Sequence, residues 1–325
     1  MRMTILVTCL WLVTSPLWGK IVFTSGRVGN AEVYTMDSDG TDQTRLTFHE
    51  AGDDTPAWSP NGQQIVFCSY RDGGPHTEIY VMDADGGNQR RLTHHPGIDG
   101  QPDWSPDGSQ IAFASTRNAD ENPRLNIFVM DTNGSNVRQV TRMRFASRPK
   151  WSPDGKRILF EAVTDSGREV YMIDADGRNL WKVSFPNIEA GMFPRGWSPD
   201  GKQILYTEAI GHSVNDATLI IATLHPTRRE VKHFDRVPLP KMPISGGAWG
   251  VDGKSVLFSA RPPDGPQNLD WNIYRFRLTD RKLIQLTHHV RRDSIPREWN
   301  PRLSVPPQRL LPVFWGEIKS NRLQH

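Results

Sequence analysis

Six apolar triplets punctuate the chain: Ile21-Val22-Phe23, Ile65-Val66-Phe67, Ile111-Ala112-Phe113, Ile158-Leu159-Phe160, Ile204-Leu205-Tyr206 and Val256-Leu257-Phe258. Strand side chains alternate sides, so three adjacent apolar residues in a short run predict a strand covered on both faces. A second run follows each triplet, namely "EVYTM", "EIYVM", "NIFVM", "EVYMI", "TLIIA" or "NIYRF". A third, shorter one comes next, "TRLT", "RRLT", "RQVT", "WKVS", "EVKHF" or "LIQLT". Ahead of the triplets stands a brief tryptophan element such as "PAW", "PDW" or "PKW", then an Asx-Gly turn that supports a hairpin. In chain order these are strands A (tryptophan), B (triplet), C and D.

The tryptophans at 58, 104, 151, 197, 249 and 299 recur every 46 to 52 residues. That period suits one four-stranded propeller blade per repeat. Strand A is missing at the N-terminus, where the chain enters with strand B at Ile21, and it supplies the last repeat signal, at Trp299. The pattern therefore predicts an all-β, six-bladed β-propeller over residues 20–301, closed by three N-terminal strands plus one C-terminal strand in the same blade. Closure of that kind removes the bare edges an open array presents.

Composition places the ends and excludes some functions. The opening "MRMTILVTCLWLVTSPLWGK" has one Arg, an apolar centre and a turn-forming "TSP", which predicts a signal peptide over residues 1–19 and a periplasmic or secreted protein; retention as an anchor is the alternative. No later span is apolar enough for a membrane helix. With Cys9 in the leader, only Cys68 remains, so no internal disulfide is expected. A net charge of +3 without a basic, aromatic-interleaved stripe argues against nucleic-acid binding. The tail, residues 302–325, lies outside the repeat; its prolines disfavour a helix early on, and "LPVFWGEI" is apolar enough to dock on the propeller's side or bottom.

The run "SPDGKQILYTE", the strand and turn "EIYVMDADG" and the strand "RRLT" resemble the WD40-like (PD40) repeat of the TolB-type propellers. This resemblance implies an extracytoplasmic propeller that binds other proteins, here a protein or peptide of the cell envelope. The leader runs directly into the first blade, so the expected protein lacks the family's N-terminal α/β domain.

Strand order puts the A–B and C–D turns on one face and the longer, more varied B–C and D–A loops on the other, where binding residues concentrate. Three elements recur there: Arg27, Arg71 and Arg117, four residues after a strand-B Phe; His49, His95 and His289, two after a strand-D Thr; and Asp53, Asp99 and Asp293, four beyond each His. In one reading they form a site at the channel mouth, with histidines as ligands to a divalent cation and arginines holding a carboxylate. In the other, Asp and Arg pair between adjacent loops and fix the loop frame while the histidines are solvated.

The "DADG" of residues 83–86 and its counterparts lack the later oxygen ligands of an EF-hand, so their carboxylates are expected to cap turns. The repeat tryptophans are expected to anchor blade packing; Trp181 and Trp271 stand outside that pattern. There is no nucleophile elbow, "HExxH" or phosphate loop. The expectation is a monomeric, non-enzymatic binding scaffold with no cofactor, its charged contacts drawn from Arg27, Arg71, Arg117, Asp53, Asp99 and Asp293. The alternative is a metal-dependent propeller enzyme such as a polysaccharide lyase, with His49, His95 and His289 around a divalent ion.

Overall fold

The computed structural model describes residues 19–73, 76–117, 124–183, 190–210, 217–226, 228–262 and 271–299. The expected leader, apart from Gly19, and the tail lie outside the described residues. What is described is all β, in six four-stranded antiparallel sheets.

Blade 1 starts with β1 (Lys20–Ser25), β2 (Glu32–Asp37) and β3 (Thr44–Arg45). Blade 2 holds β4 (Asp53–Trp58), β5 (Gln64–Ser69), β6 (Glu78–Asp83) and β7 (Arg90–Arg91), and blade 3 holds β8 (Asp99–Trp104), β9 (Gln110–Ser115), β10 (Asn126–Asp131) and β11 (Arg138–Gln139). Blade 4 follows with β12 (Ala146–Trp151), β13 (Arg157–Thr164), β14 (Gly167–Asp174) and β15 (Trp181–Lys182). Blade 5 has β16 (Ala190–Trp197), β17 (Gln203–Ile210), β18 (Ala217–Leu224) and β19 (Val231–Arg236). Blade 6 has β20 (Ile244–Trp249), β21 (Ser255–Ala260), β22 (Asn272–Arg277) and β23 (Leu283–Gln285). The last strand, β24 (Asp293–Trp299), pairs with β1 and completes blade 1, so the ring closes as the strand count predicts.

The apolar triplets make sense in this arrangement. Ile65 and Phe67 of β5 pack toward blade 1 beside Val22, Val33 and Leu46, while Val66 between them packs toward blade 3 beside Ile111 and Phe113. A strand-B residue thus meets a neighbouring blade whichever way it points, and the core is divided into six wedges between blades. Each fully buried aliphatic or aromatic side chain contributes about 1.5–3 kcal/mol.

Strand A differs from its sequence outline. Read as a three-residue "PAW" element, it is six residues long in β4 and β8, because it begins at the Asp that precedes the tryptophan motif. Its register shifts in the middle, between Asp54 and Ala57 in β4 and between Gly100 and Asp103 in β8. The residue at the shift is left-handed: Thr55 (φ 51°), Gln101 (φ 56°), Arg148 (φ 55°), Gly246 (φ 74°) and Ile295 (φ 56°). Bulges of this kind re-aim side chains, and here they sit on the innermost strands, which wall the channel.

The C–D turns cap themselves. Asp85 Oδ1 accepts from Gly87 N at 2.9 Å, Asp83 Oδ2 from Asn88 Nδ2 at 2.6 Å, and Asp39 Oδ1 from Thr41 N at 3.0 Å. The strand-D threonine is structural as well. Thr93 Oγ1 donates to the buried Glu78 at 2.5 Å and accepts from Ile79 N at 2.9 Å, which ties the end of strand D to strand C.

Candidate functional site

The recurrent arginines and aspartates come together pairwise, each pair inside one blade. Arg71 Nη2 lies 2.7 Å from Asp53 Oδ2, Arg117 Nη2 lies 2.5 Å from Asp99 Oδ2, and Arg27 Nη2 lies 2.9 Å from Asp293 Oδ2. All three aspartates are wholly buried. The local geometry follows from strand register. Asp53 sits opposite Ser69, Arg71 turns back so that its Nε donates to Ser69 Oγ at 2.8 Å, and the guanidinium then covers the Tyr80 ring at 4.7 Å. Each arginine is therefore held by one carboxylate, one serine and aromatic faces. Each pair joins the end of a D–A loop, at the first residue of strand A, to the start of the B–C loop that follows strand B of the same blade.

The histidines are placed separately. His49 is exposed and its Nδ1 accepts from Ala51 N at 3.0 Å, while His95 makes the same short-range contact with Gly97 N at 3.0 Å. The backbone N of His289 donates to Asn272 Oδ1 at 2.9 Å. Among the described residues no three His, Cys, Asp or Glu side chains gather in a way that would hold a metal ion. Cys68 is buried, contacts Thr55 Oγ1 at 2.8 Å and accepts from Gln101 N at 3.0 Å. Burial pushes its thiol up to about 12, so it stays a packed, protonated group at neutral pH.

Two openings remain on the axis. On the short-turn face, a funnel of about 950 Å3 is lined by Trp104, Trp151, Trp197, Trp249 and Trp299 with the Ser-Pro-Asp-Gly turns. Trp197 Nε1 donates to Lys150 O at 3.2 Å and Trp299 Nε1 to Pro60 O at 3.0 Å, so these rings also link neighbouring blades. Trp181 is partly buried against the wedge between blades 4 and 5, and Trp271 lies under the Arg292 guanidinium at 5.9 Å.

The second opening, about 370 Å3, is walled by the bulged inner strands and carries Arg148, Lys150, Arg195 and Arg297 with Arg292 and a single carboxylate, Asp54. Sequence reasoning misses these residues. They stand just before the repeat tryptophan in "SRPKW", "FPRGW" and "IPREW", where blades 2 and 3 have Thr55, Ala57, Gln101 and Asp103. The available signal is that strand A is innermost, so a basic residue one to three places before Trp faces the axis.

The long-loop face is further marked by exposed apolar side chains. Phe48 (72% exposed) and Val290 (70%) stand on D–A loops, with Val28, Tyr70, Ile98 and Ile210 also exposed on this side. Only Val137 and Leu180 of the exposed large hydrophobics lie elsewhere among the described residues.

Comparison with known proteins agrees with this architecture. Residues 53–170 match the family described as the TolB beta propeller domain. The Tol-Pal system protein TolB of Desulfosudis oleivorans is 39% identical over 56 residues, which is 17% of this chain and 13% of that protein. The match thus spans a small part of the curated relative. Among solved structures, TolB from Acinetobacter baumannii superposes with a TM-score of 0.71 at 18% identity, covering 86% of this chain and 66% of that one. Oligogalacturonate lyase from Vibrio parahaemolyticus superposes with a TM-score of 0.57 at 14% identity, covering 83% and 75%. At these identities the structural likeness is one of fold.

Proposed function

We propose, from the match of residues 53–170 to the TolB beta propeller domain and the six-bladed fold, an extracytoplasmic, non-enzymatic scaffold that binds a protein or peptide of the cell envelope at its long-loop face. The observation that carries this reading is the segregation of exposed apolar side chains: Val28, Phe48, Tyr70, Ile98, Ile210 and Val290 stand on that face. Apolar side chains exposed on one side of a rigid frame, on its longer loops, are placed to contact a partner there. Aromatic anchors such as Phe48 and Tyr70 supply much of the binding energy at such surfaces.

In this reading the Arg–Asp pairs act from beneath. Arg71–Asp53, Arg117–Asp99 and Arg27–Asp293 hold the starts of the B–C loops against the starts of strand A, so the loops are presented in one conformation. Pre-ordered loops lower the entropy cost of binding. The lyase alternative draws on the fold shared with oligogalacturonate lyase, but it requires His49, His95 and His289 around one ion, and among the described residues no such gathering is present.

The reading is tested by capture from a cell-envelope fraction, with wild-type protein and the triple variant Phe48→Ser/Tyr70→Ser/Val290→Ser side by side. The expected result is a partner retained by the wild type and lost by the variant, with unchanged thermal unfolding. Equal retention by both proteins would move the interface off this face. Recovery of an envelope polysaccharide that the protein cleaves only with added divalent metal would replace the scaffold reading by the enzyme.

A further inference from the structure

The inner wall of the channel carries more positive charge than the described carboxylates around it balance. Arg148 and Lys150 come from blade 4, Arg195 from blade 5 and Arg297 from blade 1, and they converge across the inner strand of blade 6. That strand carries Gly246 and Gly247 at this level; a Cβ at Gly247 would lie 3.5 Å from Arg195 Cγ, so a larger side chain there would crowd the arginine. Arg297 Nη1 donates to the backbone Arg195 O at 2.9 Å, which holds the Arg297 head group against the strand that carries Arg195, and both side chains line the same opening.

The carboxylates nearby are already engaged. Glu161 is shared between Arg148, at 2.5 Å, and Arg168. Asp103 accepts from Lys150 Nζ at 3.2 Å and from Trp151 N at 2.9 Å, and Asp54 is bonded to Thr24 Oγ1 at 2.7 Å. Arg195 donates Nε to Thr207 Oγ1 at 2.7 Å, and neither Arg195 nor Arg297 has a carboxylate partner among the described residues.

The electrostatic consequence is visible in both kinds of cation. Burial, with Arg148 and Arg297 close by, pushes the Arg195 guanidinium down to about 9, and burial with Arg297 nearby pushes the Lys150 ammonium down to about 8. An arginine stays charged at neutral pH, so the folded chain carries this repulsion, offset in part by Glu161 and Asp103. Phe193, which has Arg148 at 5.3 Å and Arg195 at 5.8 Å from its ring, and Ile295 supply an apolar wall beside the charges.

We propose that this channel pocket binds a small oxyanion ligand, a molecule bearing carboxylate or phosphate groups, through Arg148, Arg195 and Arg297 with Lys150 in support. The pocket volume, about 370 Å3, lies in the range of small-molecule sites. The planar guanidinium fork suits either oxyanion, by two parallel hydrogen bonds. The site is separate from the apolar residues of the loop face, so it stands or falls independently of the partner-binding reading.

The test is thermal unfolding of the full chain in low-chloride buffer, titrated with inorganic phosphate and with citrate against sodium chloride at matched ionic strength. A ligand that binds only the folded state raises Tm saturably, and a rise of about 2 °C or more over the chloride control is expected for at least one anion. A larger effect of citrate identifies a carboxylate ligand; a larger effect of phosphate identifies a phosphoryl group. Arg195→Met should unfold at or above the wild-type temperature without anion, because a like charge is gone, and it should lose the anion-dependent rise. Arg297→Met, which removes a guanidinium with one backbone hydrogen bond, gives the same readout should Arg195→Met fail to fold. No rise over chloride for either anion, or a rise of equal size in a folded variant, overturns the proposal.

Discussion

At Asp53 a carboxylate has been taken wholly out of water, and one guanidinium makes that tolerable. Removing a single member of a buried pair leaves an uncompensated charge, which costs about 3–5 kcal/mol, whereas an exposed pair is worth about 0–1 kcal/mol. Arg71→Met keeps much of the stem that packs over Phe67 and Tyr80 and removes the charge opposite Asp53. The expected loss is about 3 kcal/mol, read as a lower urea midpoint at an unchanged slope. The double variant Arg71→Met/Asp53→Asn should lie closer to the wild type than the single one, since no bare charge then remains. Loss of the exposed Asp280 carboxylate, which pairs with Arg277 at 2.6 Å, should move stability by no more than about 0.5 kcal/mol. A fall as large for Asp280→Asn as for Arg71→Met would show that burial does not set the cost. The recurrence of these arginines and aspartates was legible in their spacing. A pairing of Asp with Arg was also among the sequence readings; what spacing did not supply is the register that sets Asp53 opposite Ser69, two residues before Arg71, and so decides which Arg meets which Asp.

Among elements, the C–D turn shows how a local signal can conceal a long-range contact. The "DADG" pattern announces a turn, and its glycines are left-handed: Gly40 at φ 92°, Gly86 at 91°, Gly134 at 89° and Gly177 at 88°. What the string does not reveal is the seat of each glycine against strand D of the blade before it. A Cβ on Gly40 would stand 2.4 Å from Leu286 O, on Gly86 2.8 Å from Leu46 O, and on Gly134 2.4 Å from Leu92 O. Gly134→Ala therefore combines an unfavourable φ with a backbone overlap, and a loss of about 2–3 kcal/mol is expected by urea unfolding. The same change at Gly73, also left-handed at φ 83° but with nothing within 4 Å of its Cβ, should cost only about 1 kcal/mol. Equal costs at the two sites would mean that the interblade seat contributes nothing. Strands B and C were legible for the opposite reason, since their apolar residues face neighbours whichever blade supplies them. Strand A was half hidden: its bulge falls at Thr55, Gln101 and Arg148, residue types that do not advertise a positive φ.

For the whole molecule, the ring decides which residues meet. Arg148, Arg195 and Arg297 lie on three strands far apart in the chain, and only closure brings them around one channel, so their cluster could not be read from local spacing. Closure itself was legible, because strand A is missing at one end of the repeat array and left over at the other. In the structure β24 does more than supply a fourth strand. It pairs with β1 from Lys20↔Trp299 to Ser25↔Asp293, it brings Asp293 to Arg27 at 2.9 Å, and it sets the Trp299 ring 6.0 Å from that of Trp58 in blade 2, tilted by 38°. A chain ending at Arg292 would leave the backbone donors and acceptors of β1 bare on an edge whose side chains Ile21, Val22 and Phe23 are wholly buried in the intact ring. Bare apolar edges recruit other chains, so that truncation should elute as oligomers or aggregate and should lose the sharp thermal transition of the intact protein. A point change that weakens closure without removing the strand, such as Trp299→Ala, should leave the elution volume of the intact protein unchanged and lower Tm, since the Pro60 hydrogen bond and the contact with Trp58 go while the β1 ladder stays. A monodisperse truncated chain with an unaltered transition would mean that five blades and a three-stranded sixth hold together without the C-terminal strand, and that the channel geometry does not depend on closing the ring.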